Sequence, residues 1–229
     1  MLDYFLHPEI TYSMGREKEL RGNSVIIPCG FGRNMWNDTD VSSTLRSLFS
    51  HADSDIERFK KLHQAEFDAG EVNRTLARAC YRLASQDQLT ESYAPYQVTG
   101  QWEVMYELWK HKPEWYEKYS HWFFSAIWPK YDGEYLTTRG MLELIRLGPS
   151  QNAVIVAQAI HVARCLRVAD QVFGCDSVSK ATVDMPNLYD AASVQPWTRD
   201  QTSFITYEKK ARVFNELPRW LQNLVRHFL

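Results

Sequence analysis

Within residues 152–174, NAVIVAQAIHVARCLRVADQVFG, the hydrophobic period changes, and that change restricts the fold more than any other stretch of the chain. Ala153 to Ala157 is a short unbroken apolar run rich in valine and isoleucine, the pattern of a strand covered on both faces. Directly after it, Val162, Leu166, Ala169 and Phe173 recur at helical spacing, and Gly174 stops the helix. A buried strand that passes straight into an amphipathic helix is half of a βαβ unit. It predicts an α/β fold built on a mostly parallel sheet. His161 and Arg164, three residues apart at the junction, share a face away from the apolar stripe. Ligands of open α/β sheets sit outside the carboxyl ends of the strands, so this pair points to an anion.

The rest of the chain alternates in the same way. Residues 1–22 read as an irregular lead-in, and Ser24 to Cys29 as a strand that Pro28 brings to an end. The loop Gly30-Phe31-Gly32-Arg33-Asn34 follows, then a short helix over 40–50. A helix over 54–69 has Asp53 or Ser54 as its cap and Gly70 as its stop, and another covers 72–85. Tyr96 to Thr99 is a brief strand, and 101–109 is helical. Residues 110–136 hold Trp115, Tyr116, Tyr119, Trp122, Phe123, Phe124, Trp128 and Tyr131. They read as an aromatic-rich helical insertion broken at Pro113 and Pro129, serving as local core or as the surface of a homo-oligomer. Thr137 or Thr138 caps a helix through Leu147, Val178 to Val183 is a late strand, and a loop over 185–199 turns at Pro196-Trp197. Residues 202–229 read as helical with a break near Pro218, and the 229 residues suit one α/β domain.

Composition narrows the function. An apolar fraction of 45% supports a sizeable core. A net charge of −2 without a basic block argues against a nucleic-acid footprint. No apolar run reaches bilayer length, and the first residues lack a signal peptide's basic start and cleavage site. The expectation is a cytoplasmic protein with no membrane anchor. Cys29, Cys80, Cys165 and Cys175 show no metal-type spacing and read as reduced, mostly buried thiols. The histidines show no zinc-ligand spacing, and neither a Gly-x-Ser-x-Gly elbow nor a His-Glu-x-x-His motif occurs. No metal is expected.

The chemistry-bearing residues fall after the strands. Gly30 and Gly32 would let backbone N–H groups approach a ligand, with Arg33 adding a fork of donors and Asn34 beside it. The loop matches neither a Walker motif nor the dinucleotide fingerprint, so it can equally be a plain turn. Gln101 and Glu103 repeat the placement at a second strand end. Glu103 is a general base or hydroxyl acceptor on one reading, and a carboxylate favoured by the helix dipole on the other. His161 can exchange a proton and Arg164 can hold an anionic group. Trp197 and Arg199, with Gln195 and Thr198, belong to a late loop that either closes a site or forms a corner docked by Trp197.

In order, VIIPCGFGR, VTGQWEV, YLTTRGMLELI and AVIVAQAIHVARCLRVADQVFG resemble the bacterial domain-of-unknown-function group that contains the SanA, ElyC and YdcF proteins. The match spans about residues 24–205 and is continuous only in the last piece, an apolar strand, a His, an Arg three residues on, and a helix ending in Gly. The resemblance implies a Rossmann-like three-layer sandwich whose pocket is lined by Gly30, Gly32, Glu103, His161 and Arg164. It also implies the YdcF-like branch, associated with S-adenosylmethionine, rather than the membrane-anchored members linked to the cell envelope. Two departures stand out. Thr138 is followed by Arg139, Gly140 and Met141 instead of an Asn-containing segment, and Gln101 follows Gly100 where the group often has paired glycines.

The resulting expectation is an α/β protein that binds an anionic or nucleotide-like small molecule, as an enzyme of unknown reaction class. Glu103 and His161 would be its catalytic pair. Gly30, Gly32, Arg33, Asn34, Gln101, Thr138, Arg164, Trp197 and Arg199 would bind the ligand. The alternatives are a non-catalytic binding or interaction module, and an S-adenosylmethionine-binding protein or methyltransferase.

Overall fold

The structure, a computed structural model, describes residues 24–32, 54–85, 96–129, 136–174, 178–183, 189–193 and 195–216. The lead-in, Arg33 and Asn34, the helix over 40–50, Tyr131, Cys175 and the break near Pro218 lie outside those residues. Strands β1 (Ser24–Pro28), β2 (Gln97–Gln101), β3 (Phe124–Ile127), β4 (Asn152–Gln158) and β5 (Val178–Val183) form one sheet in the order β3-β2-β1-β4-β5. Every pairing in it is parallel.

The side-chain period of two divides the strands between two cores. Ile26, Val98, Val154 and Val156 face one apolar layer. Val25, Ile27, Ala153, Ile155 and Ala157 face the other. Helices α1 (Asp55–Gln64), α2 (Glu71–Ser85), α3 (Trp102–His111) and α4 (Pro113–Phe123) cover the first face, and α5 (Thr138–Leu144) and α6 (Ala159–Phe173) the second. The last helix described, α7 (Gln201–Glu216), reaches the first layer through Phe204. The molecule is thus a Rossmann-like three-layer α/β sandwich, as the alternation of strand and helix predicts. Among the described residues, no helix is long and apolar enough to cross a membrane.

Three boundaries follow from local chemistry. Pro28 has no N–H to give and closes β1, and the ladder resumes once through Cys29 N–H to Val156 O at 2.8 Å. Ser54 caps α1 in a reciprocal box with Glu57. That helix ends at Gln64, earlier than the expected Ala69. Glu66 takes a left-handed conformation (φ 56°), while Phe67 N–H bonds Leu62 O and Glu66 N–H bonds His63 O, which closes the helix in a Schellman turn.

The aromatic stretch over 110–136 is helical from Pro113 to Phe123, as expected, and adds a strand that the sequence did not announce. Pro113 begins α4 instead of breaking a helix, since the first helical position needs no N–H. Phe124 to Ile127 then form the edge strand β3, paired with Val98 to Gln101. The stretch is therefore part of the sheet. Among its described rings, Trp115, Tyr116 and Phe124 are buried in the core, and Trp128 stacks on Trp102 at 5.1 Å. Asp55 fastens α1 to this edge, accepting from Ala126 N–H at 2.8 Å and Trp128 Nε1–H at 2.7 Å.

Glu107 on α3 is buried, and burial holds its carboxyl above the ordinary range against the pull of Lys110 at 3.2 Å. The folded protein therefore keeps a proton that the unfolded chain releases. This contribution to stability is present below the ordinary carboxylate pKa and is lost as pH rises through the raised one. Glu107→Gln should flatten that loss and leave Tm at neutral pH equal or higher, measured by thermal unfolding across the acid range. A lower neutral Tm would show that the contact with Lys110 outweighs burial.

Candidate functional site

The chain leaves β1 toward β2 on one side and leaves β4 toward β5 on the other, so the two central strands diverge at their carboxyl ends. In doubly wound sheets this switch point is where ligands bind, because the departing loops open a crevice there. The loop after β1 and the helix after β4 both start at this point.

The β1 loop is held from three directions. Gly30 N–H donates to Gln101 Oε1 at 3.1 Å, from the end of β2. Phe31 N–H donates to Asn73 Oδ1 at 3.0 Å, and Asn73 Nδ2 donates to Gly32 O at 2.6 Å and Ala69 O at 2.7 Å. Gly32 has φ +70°, and a Cβ there would strike the Thr198 and Ser193 hydroxyl oxygens. Those hydroxyls bond each other at 2.7 Å, so glycine is required by both conformation and space. The backbone donors of Gly30 and Phe31 are thus engaged within the protein. Offering them to a ligand would require Gln101 and Asn73 to withdraw.

On the β4 side, α6 presents His161 and Arg164 one turn apart. Arg164 Nη2 lies 3.2 Å from His161 Nδ1. A guanidinium only donates, so a hydrogen bond here has the imidazole nitrogen as its acceptor. His161 is 1% exposed and lies edge-on to Phe31 at 5.7 Å and Phe204 at 5.9 Å. Arg164 is half-buried, its guanidinium 5.8 Å from the Trp197 ring and 5.2 Å from Tyr207. Trp197 and Tyr207 stack at 4.5 Å, and Trp197 meets Phe31 edge-on at 6.1 Å. An arginine among aromatic faces keeps its charge with little bulk water around it, a favourable setting for meeting an anion.

No protein-family model matches the chain, and no curated protein or solved structure matches it either.

Of the residues singled out from the sequence, Gly30, Gly32, Gln101, His161, Arg164 and Trp197 converge on the carboxyl edge. Glu103 is buried in the first turn of α3, also at this edge. It follows β2, so β1 lies between it and His161, about 10 Å of strand spacing. Thr138 is set apart. Thr137 caps α5 by accepting from Gly140 N–H, and Arg139 bonds Gln171, ten residues beyond His161 on α6. By helical rise that is about 15 Å away. Arg199 donates from Nε to Ser193 O at 2.6 Å and so pins its own loop. Among the described residues, no group of three or more His, Cys, Asp or Glu is placed to hold a metal.

The sequence reading missed Asn73, Ser193, Phe204 and Tyr207. Asn73 left a signal: a polar residue in the buried stripe that continues through Leu76, Ala77 and Cys80. Asn73→Ala strips Phe31 N–H and Gly32 O of their buried partner and should cost about 2 kcal/mol. Urea unfolding measures it, and a loss below about 0.5 kcal/mol would show that the loop re-forms its bonds elsewhere.

Proposed function

We propose that this chain binds a small anionic or nucleotide-like molecule at the switch point between β1 and β4 and acts on it as an enzyme. The observation that supports this reading is the His161–Arg164 pair, 3.2 Å apart and enclosed by Phe31, Trp197, Phe204 and Tyr207. Arg164 supplies the counter-charge, and a guanidinium's fork of N–H donors suits phosphate or carboxylate oxygens. His161 can take or give a proton next to that anion, and Glu103 is the second proton-transfer group, approached from the β2 side. Trp197 and Tyr207 exclude water, which strengthens the charge interaction. Under the same proposal the chain joins the SanA, ElyC and YdcF group, on its YdcF-like branch.

A thermal-shift panel of orthophosphate, nucleotides, sugar phosphates and S-adenosylmethionine tests the reading. A bound ligand raises Tm as its concentration rises. Arg164→Gln should weaken the ligand found by about tenfold or more, the loss of a charge-assisted bond. His161→Ala and Glu103→Ala should abolish turnover and keep part of the binding. No shift with any member, or a shift that Arg164→Gln leaves untouched, overturns the proposal. A response to S-adenosylmethionine alone would favour the methyl-transfer alternative.

A further inference from the structure

Beneath the site lie two cysteines that no step above uses. Cys29 directly follows β1, its N–H bonded to Val156 O of β4 at 2.8 Å. Cys165 sits one turn beyond His161 on α6, the helix that leaves β4. Both side chains enter the same apolar layer between sheet and helix, at 1% and 0% exposure. There the side chains of Cys29 and Cys165 meet, and His161 adjoins Cys165 as well. Residues 136 positions apart in the chain are thus brought sulfur to sulfur at the point where the two central strands diverge.

We propose that Cys29 and Cys165 form a redox pair that closes into a disulfide when a small peroxide reaches it, stapling the β1 loop to the helix that carries His161 and Arg164. Burial opposes ionisation of Cys165, but the Cys29 hydrogen bond, His161 and Arg164 together hold its pKa well below the ordinary thiol value. The bond to Cys165 and burial push Cys29 the other way, so Cys165 is the attacking sulfur and Cys29 the resolving one. The Cys165 thiolate attacks one peroxide oxygen: an S–O bond forms, the O–O bond breaks, and the departing hydroxide takes a proton to become water. The Cys29 sulfur then attacks the sulfenic sulfur. The S–S bond forms, the S–O bond breaks, and a second water leaves with the Cys29 proton. Two thiols are oxidised by two electrons in all, and one hydrogen peroxide is reduced to two waters. The burial of both sulfurs restricts the oxidant to one small and uncharged.

The test uses the full chain and graded hydrogen peroxide, followed by alkylation in denaturant and peptide mass spectrometry. The expected result is a Cys29–Cys165 linked peptide lighter by two hydrogens, the loss of two alkylatable thiols, and their return with dithiothreitol. Cys80, where burial alone pushes the thiol pKa up, should stay alkylatable under the same treatment. Cys29→Ser lacks the resolving sulfur, so Cys165 should be captured by dimedone as its sulfenic acid. Full alkylation of both cysteines after peroxide, oxidation of Cys165 to sulfinic acid without a link, or pairing of either with Cys80 or Cys175 overturns the proposal. These outcomes do not depend on whether an anion binds above the pair.

Discussion

Phe204→Ala is expected to lower Tm by on the order of 10 °C, the largest loss from truncating any one side chain at the carboxyl edge. Phe204 is fully buried, and its ring lies 4.9 Å from Phe31, 5.9 Å from His161 and 6.4 Å from Trp197. Among the described side chains of α7, it is the one buried in the first apolar layer. Truncating a buried phenylalanine removes its transfer free energy and leaves a cavity, about 3–5 kcal/mol together. Here the cavity would open beside His161. Amide exchange over residues 201–216 should accelerate along with the drop in Tm, because the helix loses its anchor. A Tm change under about 2 °C, with exchange unaltered, would mean that α7 is held by other contacts.

Gly100→Ala is the second large effect. A Cβ at this position would stand 2.6 Å from the Pro28 carbonyl oxygen and 2.7 Å from two Pro28 ring carbons. The obstruction is backbone and a closed ring at the centre of the sheet, so it cannot swing aside as a flexible side chain can. Overpacking of this kind costs about 1–3 kcal/mol and occasionally more, and a rigid obstruction favours the upper end. Pushing β1 from β2 also strains the Gly30–Gln101 bond one residue further on. Gly148→Ala is the control, because its Cβ would meet only the Gln151 side chain, at 3.4 Å. Equal thermal stability of the two variants would refute the packing argument.

How much of this was legible in the sequence depended on where each signal is stored. The β4–α6 unit could be read because strand and helix periods are written into consecutive residues, and His161 and Arg164 came with it. Pro28 announced the end of β1, and the glycines of the following loop marked a turn at its carboxyl end. The strand β3 was hidden. Phe124 to Ile127 is four residues long and lies among tryptophans and tyrosines, whose bulk suits helix, strand or core equally well. Only pairing with β2 makes it a strand. Asn73, Ser193 and Phe204 were missed because the residues they meet on the β1 loop, Phe31 and Gly32, lie far from them in sequence.

By itself the sequence determined the layers: which segments other than β3 are strands or helices, that the sheet is largely parallel, and that a histidine and an arginine stand where β4 ends. Those properties follow from local hydrophobic period and from the conformational limits of proline and glycine. Tertiary structure alone decided what surrounds the pair. It brought Gln101 and Asn73 onto the β1 loop, laid Trp197 and Tyr207 over Arg164, and buried Cys29 and Cys165 in one apolar layer, because each of these contacts is made between elements whose meeting depends on the order of strands in the sheet.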